Sequence, residues 1–520
     1  MGETEKTIID NKEELIENIN INDDTISISN INYINKTPIN GFSGIIIDRI
    51  KTPPEISSLS DYKIKIHNTD FNCYIHFGSH KYMEIFNLYD VTFKNEVTFE
   101  GATFYKKTSF IRITFEKCAR FNNGTFKKEV NFHGTHFGTN DSISKNEFKN
   151  CTFERQANFS GATFSKSTIF KNCIFKDKCD LRSAIFNKDV KFENCTFEGD
   201  TNFTRATLNK HIKFINCKFK DTVKYIGIQT SNETELDFTN STVYNLFILG
   251  TEDNNHIELS NNINFDGFKT HTNSIVRIRG INNVNGNKGY LNFKDSFIQG
   301  LIDFQNIYIS EINLNGAVVA GRIVEIELNV QKASNRYTYR LLKNESLKEN
   351  NTIKALEYKS HEMNSYMKEL GINNKIYSII SLAPIVIVKL LSYHIYALII
   401  LAIFIILIFY IFGDEISLFL NKVSNNHGTN LIRGIVFSLS IATIFTLLLF
   451  DVSDSLTLDF SRKGFDFALK TYVTFLNITN WKDLPFDDSG ICSSLIFVGR
   501  ILLGFGYYQT AQAFRKFGKK

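Results

Sequence analysis

Residues 148–175, FKNCTFERQANFSGATFSKSTIFKNCIF, place phenylalanine at 148, 153, 159, 164, 170 and 175, in steps that alternate between five and six residues. An amphipathic helix repeats its apolar face about every 3.6 residues and a half-buried strand about every 2, and neither describes this beat. The same rhythm runs through Phe93, Phe99, Phe104, Phe110, Phe115, Phe121, Phe126, Phe132 and Phe137, and continues beyond Phe175 through Leu181, Phe186, Phe192, Phe197, Phe203, Leu208, Phe214 and Phe219. A period of 22 lies over it: Cys151, Cys173, Cys195 and Cys217 recur at that interval, each preceded by an asparagine, with Ala162, Ala184 and Ala206 half a period away. Identity at such a period marks stacked units that bury their faces only on their neighbours. Four short sides per coil, each sending one large apolar residue to the axis, is the simplest geometry; two flatter coils of half the length satisfy the spacing equally. Phenylalanines one period apart then lie above one another at about 4.8 Å, and the stretch builds a rod about 27 Å long.

The segments ANFSGATF, 157–164, and NCTFEGDTNFTRATL, 194–208, resemble the pentapeptide-repeat family. That resemblance covers residues 86–225 and implies a right-handed, four-sided parallel β-helix. Its inward Phe or Leu follows, two places on, a small inward residue, here Cys, Ala or Thr. Around Phe148 and Phe153 the order of the steps is exchanged, so a loop or bulge is expected there. The family uses this scaffold in several ways, and the repeat alone names no function.

With 520 residues and 43% hydrophobic content, the chain has room for more than one domain. Its opening, MGETEKTIIDNKEELIENIN, carries both signs of charge and no apolar core, unlike a cleaved secretory signal. The N-terminal part is therefore expected in the cytoplasm. Seven of the eight cysteines precede residue 220 without any CxxC pair, and read as buried, reduced thiols rather than disulfides or a metal column. Residues 86–225 hold 24 Lys and Arg against 15 Asp and Glu, the wrong sign for an acidic mimic of duplex DNA. A basic rod suits an anionic ligand, nucleic acid or lipid headgroups; the competing reading is a solvated surface that keeps a stacked β-protein soluble. His67, His76, His80, His133 and His136 are scattered, and no phosphate loop, metal-ligand set or nucleophile elbow occurs. Neither an enzyme nor a cofactor or metal is expected.

The organisation follows composition. Residues 1–61 read as an N-terminal cap, with an amphipathic stretch at Glu13–Ile19 and the strand-like TISISNINYIN, and 62–330 as the β-helix. Its early coils, 62–90, look irregular, and a separate β domain is the alternative for the less regular part beyond Phe219. Residues 331–375 change to helical spacing and resemble the helical connector that joins pentapeptide repeats to membrane segments in some bacterial proteins. Residues 376–520 read as a transmembrane domain, with spans at 393–412, 431–450 and 491–514, and 376–391 as a fourth span or an interfacial helix. The basic end FRKFGKK favours a cytoplasmic C-terminus.

Residues 465–481, between the last two spans, combine aromatics with hydroxyls and amides, and the order span, short helix, polar turn, span looks like the pore module of two-span ion channels. Thr471, Asn477, Thr479, Asn480 and Trp481 are its pore candidates, joined by Arg500, Gln509 and Gln512 on the last span. NITNW stands where a potassium filter would carry Gly-Tyr-Gly, so potassium selectivity is not implied. An amphipathic helix on the membrane surface is the competing reading. Arg500 has Asp451, Asp454, Asp487 and Asp488 as candidate partners, or else snorkels to the headgroups. Gly434, Ser438 and Ala442 on one span and Cys492, Gly499, Gly506 and Ala513 on the other form small-residue stripes for helix packing.

Together these readings give the expectation of a multi-pass protein of a bacterial inner membrane. A homo-oligomeric pore, a tetramer first, would be gated through its cytoplasmic β-helix by an anionic ligand, nucleic acid or regulatory protein. Its layout resembles ion-channel effectors of antiviral defence. The alternative is a membrane-anchored scaffold whose rod recruits a partner.

Overall fold

The computed structural model describes residues 63–138 and 145–370, apart from 72–73, 79–80, 232–233, 252–261 and 283–288. It also describes short strands between 7 and 46 and the segments 431–452, 462–477 and 490–515. Two compact units divide the chain, Met1–Ser334 and Asn335–Lys520.

The first unit is a parallel β-solenoid. One coil comprises the strands Asn146–Lys149, Thr152–Phe153, Ala157–Asn158 and Thr163–Phe164, and these pair in parallel with Thr168–Lys171, Ile174–Phe175, Cys179–Asp180 and Ile185–Phe186 of the next. From Lys63–His67 to Val223–Ile226 each strand pairs with the strand four places on, and one of the resulting stacks holds 11 strands. Alternation within a two-residue strand turns Thr152 outward and Phe153 inward. The rings of Phe148, Phe170, Phe192 and Phe214 therefore stack with centroids 4.6 Å apart, while Phe148 and Phe159, two sides apart, meet edge-on at 6.0 Å. Burying each such ring contributes about 1.5–3 kcal/mol, and a favourable ring pair about 0.5–1.5 kcal/mol more.

The small inward position is equally constrained. Cys173 donates its thiol to the carbonyl of Phe148 at 3.0 Å, Cys195 to Phe170 at 3.4 Å and Cys217 to Phe192 at 3.5 Å. None of the seven described cysteines is in a disulfide, and burial pushes the thiols of Cys173, Cys179 and Cys217 up, which keeps them protonated. The asparagines that precede the cysteines sit at the corner. Asn150, Asn172 and Asn194 have φ of 54° and Asn216 has 56°, a left-handed conformation that asparagine tolerates better than other side chains. Each amide donates to the one a coil before it, at 3.0–3.2 Å from Asn150 to Asn216, so the corner is closed by a side-chain ladder.

The departures from the beat have local causes. Phe126 pairs with Phe153 and Phe137 with Phe164, so five extra residues fall between His136–Phe137 and Asn146–Lys149, where the order of steps changes. The early coils, expected to be irregular, keep the 22-residue register: Ile64 pairs with Phe86 and Phe71 with Phe93. Tyr82 hides the beat there, stacking on Phe104 at 5.0 Å with its hydroxyl on the Phe77 carbonyl at 2.9 Å. Beyond Phe219 the column continues as Val243, Thr270 and Ile298, and parallel pairing persists to Ile312 with Ala333. Thr25–Ser29, from the TISISNINYIN run, pairs in parallel with Lys63–His67 and so joins the ladder; Glu13–Ile19 lies outside the described residues.

The second unit opens with α1, Arg336–Lys348, and α2, Thr352–Glu369. Asn335 and Asn351 cap them, accepting from the Thr338 and Lys354 amides at 2.9 and 3.1 Å. Glu362 of α2, 2% exposed, accepts from Arg340 at 2.8 Å and Lys343 at 2.7 Å, both on α1. Burial opposes its ionisation, but these two bonds outweigh that and hold the carboxyl below its usual range. The remaining helices are α3, Leu431–Val452, α4, Arg462–Leu476, and α5, Gly490–Arg515.

Replacing Asn194 by Ala removes two ladder hydrogen bonds and leaves a residue that pays about 1–2 kcal/mol for the left-handed corner. Asn194→Ala should therefore lower thermal stability more than Asn194→Gly, which loses the bonds but not the conformation. Parallel melts of the two variants check this.

Candidate functional site

The small residues of α3 and α5 lie where the helices leave no room. A Cβ at Gly434 falls 2.7 Å from Thr510 Oγ1, one at Gly506 falls 2.5 Å from Ser438 Oγ, and one at Gly499 falls 2.6 Å from Phe475 Cζ. This order makes the two helices antiparallel. Ala442 and Cys492 enter the same core with Leu449, Phe475 and Leu503. Ser438 turns its hydroxyl to its own helix, on the Gly434 carbonyl at 3.0 Å. Ala513 lies on α5.

α4 packs along this pair. Phe467 meets Phe450 at 6.2 Å, Phe475 stacks on Phe445 at 6.3 Å, and the Tyr472 hydroxyl donates to the Leu439 carbonyl at 3.2 Å. From α5 the Tyr507 hydroxyl donates to the Leu476 carbonyl at 2.6 Å, which fixes the end of α4. The contacts descend α3 from Phe450 to Leu439, about 16 Å at the helical rise. α4 thus reaches the middle of α3 rather than lying across its end. Nothing in the spacing singled out Tyr472 or Tyr507.

Polarity in this group is reversed. Arg500 is 3% exposed and Gln509 2%, and Ser438, Thr446 and Thr471 are also buried. Many outward positions are apolar: Ile432, Val436, Leu447, Val473, Phe497 and Ile501 are exposed, beside the charged Arg433, Asp466 and Lys470. Among the described residues one segment, Leu431–Phe450, is long and apolar enough to cross a membrane.

The remaining candidates fall as follows. Thr471 donates to the Phe467 carbonyl at 2.9 Å, within α4. The Asn477 amide closes the end of α4 on the Thr474 carbonyl at 3.2 Å, where the sequence reading carried the helix to 481. Gln512 donates to the Tyr508 hydroxyl at 2.7 Å. Thr479, Asn480, Trp481, the segments 376–391 and 393–412, and Asp454, Asp487 and Asp488 lie outside the described residues, as does the side chain of Asp451. Arg500 is turned into the helix group rather than toward its surface.

On the solenoid much of the basic surface is paired along the coil axis. Lys176 meets Glu154, and Lys220 meets Glu198, each at 2.7 Å and one coil apart. Lys171 and Lys191 both hydrogen-bond Glu193 and hold its carboxyl down at about 2. Exposed pairs of this kind contribute little each, about 0–1 kcal/mol. Among the described residues no cluster of histidine, cysteine and carboxylate groups has the arrangement of a metal site.

The geometry defines a parallel β-solenoid followed by a helical unit. Comparison with known families agrees for its central coils: the profile described as Pentapeptide repeats (9 copies) matches residues 99–141 and 148–196, so the solenoid carries pentapeptide repeats. No curated protein and no solved structure matches the chain.

Gly499→Ala should push Phe475 and Phe445 apart and loosen α4, at about 1–3 kcal/mol for overpacking. Faster proteolysis within 462–477 of the purified protein, with the solenoid still resistant, checks this.

Proposed function

We propose that the protein forms a homo-oligomeric ion pore in a membrane, governed by its pentapeptide-repeat solenoid. The observation that carries this reading is the reversed polarity of α3, α4 and α5. Exposing Ile432, Val436, Val473 and Ile501 to water while burying Arg500 and Gln509 is the wrong arrangement for a soluble bundle and the right one for a bilayer. The depth of α4 supports the pore over a plain anchor, because a helix that stops halfway along a span is tolerated where its end is covered by protein or faces water. So few helices cannot enclose a pore alone, and a symmetric ring of copies, a tetramer first, supplies the remaining wall.

The location proposed is a bacterial inner membrane, multi-pass, with the solenoid in the cytoplasm, wound right-handed and four-sided. The strand-to-strand step of four from Lys63–His67 to Val223–Ile226 supports the four sides. In mechanism, an anionic ligand or a regulatory partner on the solenoid biases how the copies pack, and the α1–α2 hairpin passes that bias to α3–α5. An effector role in antiviral defence, in which opening the pore arrests growth, fits this layout. No step of this scheme is catalytic.

Purified full-length protein in liposomes should give ion flux. Tyr507→Phe removes the bond that ties the end of α4 to α5, worth about 0.5–1.5 kcal/mol, and should shift the open fraction roughly 2–13-fold. Silent liposomes together with a monomeric protein would overturn the pore and leave the scaffold, in which α3–α5 only anchor the rod.

A further inference from the structure

The solenoid has a second column of left-handed corners. Arg112, Gly134, Gly161, Ser183, Arg205 and Gly227 all have positive φ, between 53° and 66°. Their amides are spent on the next coil, as Gly161 on the Arg182 carbonyl and Ser183 on the Thr204 carbonyl, both at 2.8–3.0 Å. From Asn123 to Asn216 every corner of the asparagine column is filled by a side chain that bonds its neighbour. Here two glycines and a serine intervene between Arg112 and Arg205, and the missing side chains leave a groove of about 640 Å³. That volume is in the range of small-molecule sites, roughly 300–1,000 Å³.

The lining is basic and hydroxylic. His133, Arg182, Ser183, Thr204 and Arg205 face it, with Ile226 as an apolar wall, and no carboxylate is among its lining residues. Arg182 is positioned from behind by Asp180, which is 1% exposed and accepts from Arg182 Nε at 2.9 Å and Nη2 at 2.8 Å. Lys178 shares that carboxylate at 3.3 Å, so the group keeps a net positive charge. The His133 ring is held through Nδ1, 2.8 Å from the Ser160 carbonyl. Arg205 is exposed and makes no ion pair among the described residues. From His133 to Thr204 the groove climbs three coils, about 14 Å at the inter-strand spacing. At one end Arg112 is already paired with Asp90, at 2.6 Å, so the positive lining is bounded rather than a continuous stripe.

We propose that this corner groove binds a phosphorylated small molecule of nucleotide size. Its phosphates lie on Arg205, Arg182 and the Ser183 and Thr204 hydroxyls, and its apolar part rests against Ile226. A nucleotide suits the arrangement better than a nucleic-acid strand, because a strand needs a basic track that continues along the rod. The assignment does not rest on the pore reading, and binding is measured without flux.

The test is calorimetric titration of the full chain in detergent at low salt, with ATP and with inorganic pyrophosphate as probes. Both should bind; Arg205→Asn, which tolerates the left-handed corner, should weaken them about tenfold or more, and Arg205→Lys should recover part of the loss. Lys220→Ala, which opens an ion pair elsewhere on the rod, should stay within about twofold. Equal melting temperatures exclude unfolding as the cause. Absence of binding by both probes, or equal binding by wild type and Arg205→Asn, overturns the proposal. So does Arg205-dependent binding of a single-stranded oligonucleotide that is tighter than that of ATP.

Discussion

A strand of two residues cannot stand alone: it offers one or two backbone hydrogen bonds and half a side chain's worth of burial. Every strand such as Thr152–Phe153 is held by the strand a coil above and the strand a coil below, and Phe153 keeps water out only because Phe126 and Phe175 cover its two faces at 5.1 and 4.6 Å. Coil length is therefore the controlled quantity. A coil may carry extra residues at a corner, but not within a strand, since a one-residue slip there would turn the phenylalanine outward. The five residues added between Phe137 and Asn146 obey that rule.

This constraint explains which parts of the chain were legible. Inward positions admit few side chains, so phenylalanine, cysteine and alanine recur and their period can be read directly. The asparagine before each of Cys151, Cys173, Cys195 and Cys217 is equally readable, because a left-handed corner with a ladder to fill selects that residue. Where a different side chain meets the same need, the beat vanishes although the geometry persists: Tyr82 in the early coils, and Val243, Thr270 and Ile298 later, lie in the same column as Phe104 and Phe219. The basic groove was illegible for a further reason. Gly134, Gly161, Ser183 and Arg205 share nothing in composition; they share a column, and that column becomes visible only when coils are set in register.

In the helical unit the small stripes were readable because close approach of backbones restricts those positions to residues such as Gly434 and Gly506. The depth of α4 was not. Aromatic and hydroxyl residues at 465–481 serve a surface helix as well as a half-buried one, and the difference lies in what Phe475 and Tyr472 touch on α3. Arg500 could be flagged as costly from sequence, yet only the packing places it inside the group.

Solenoid and helices share one logic, in which neighbours supply what a single element lacks. For the rod the neighbours are coils of the same chain; for α3–α5 they are, on our account, lipid on the apolar face and further copies of the protein. The most direct test of that account is nitroxide labelling at Val436 and Val473, read by spin-label accessibility in reconstituted bilayers. The account predicts that both sites collide with oxygen and are shielded from a water-soluble relaxing agent, with Val473 as deep in the bilayer as the middle of α3. Strong access of the water-soluble agent to both sites would contradict it.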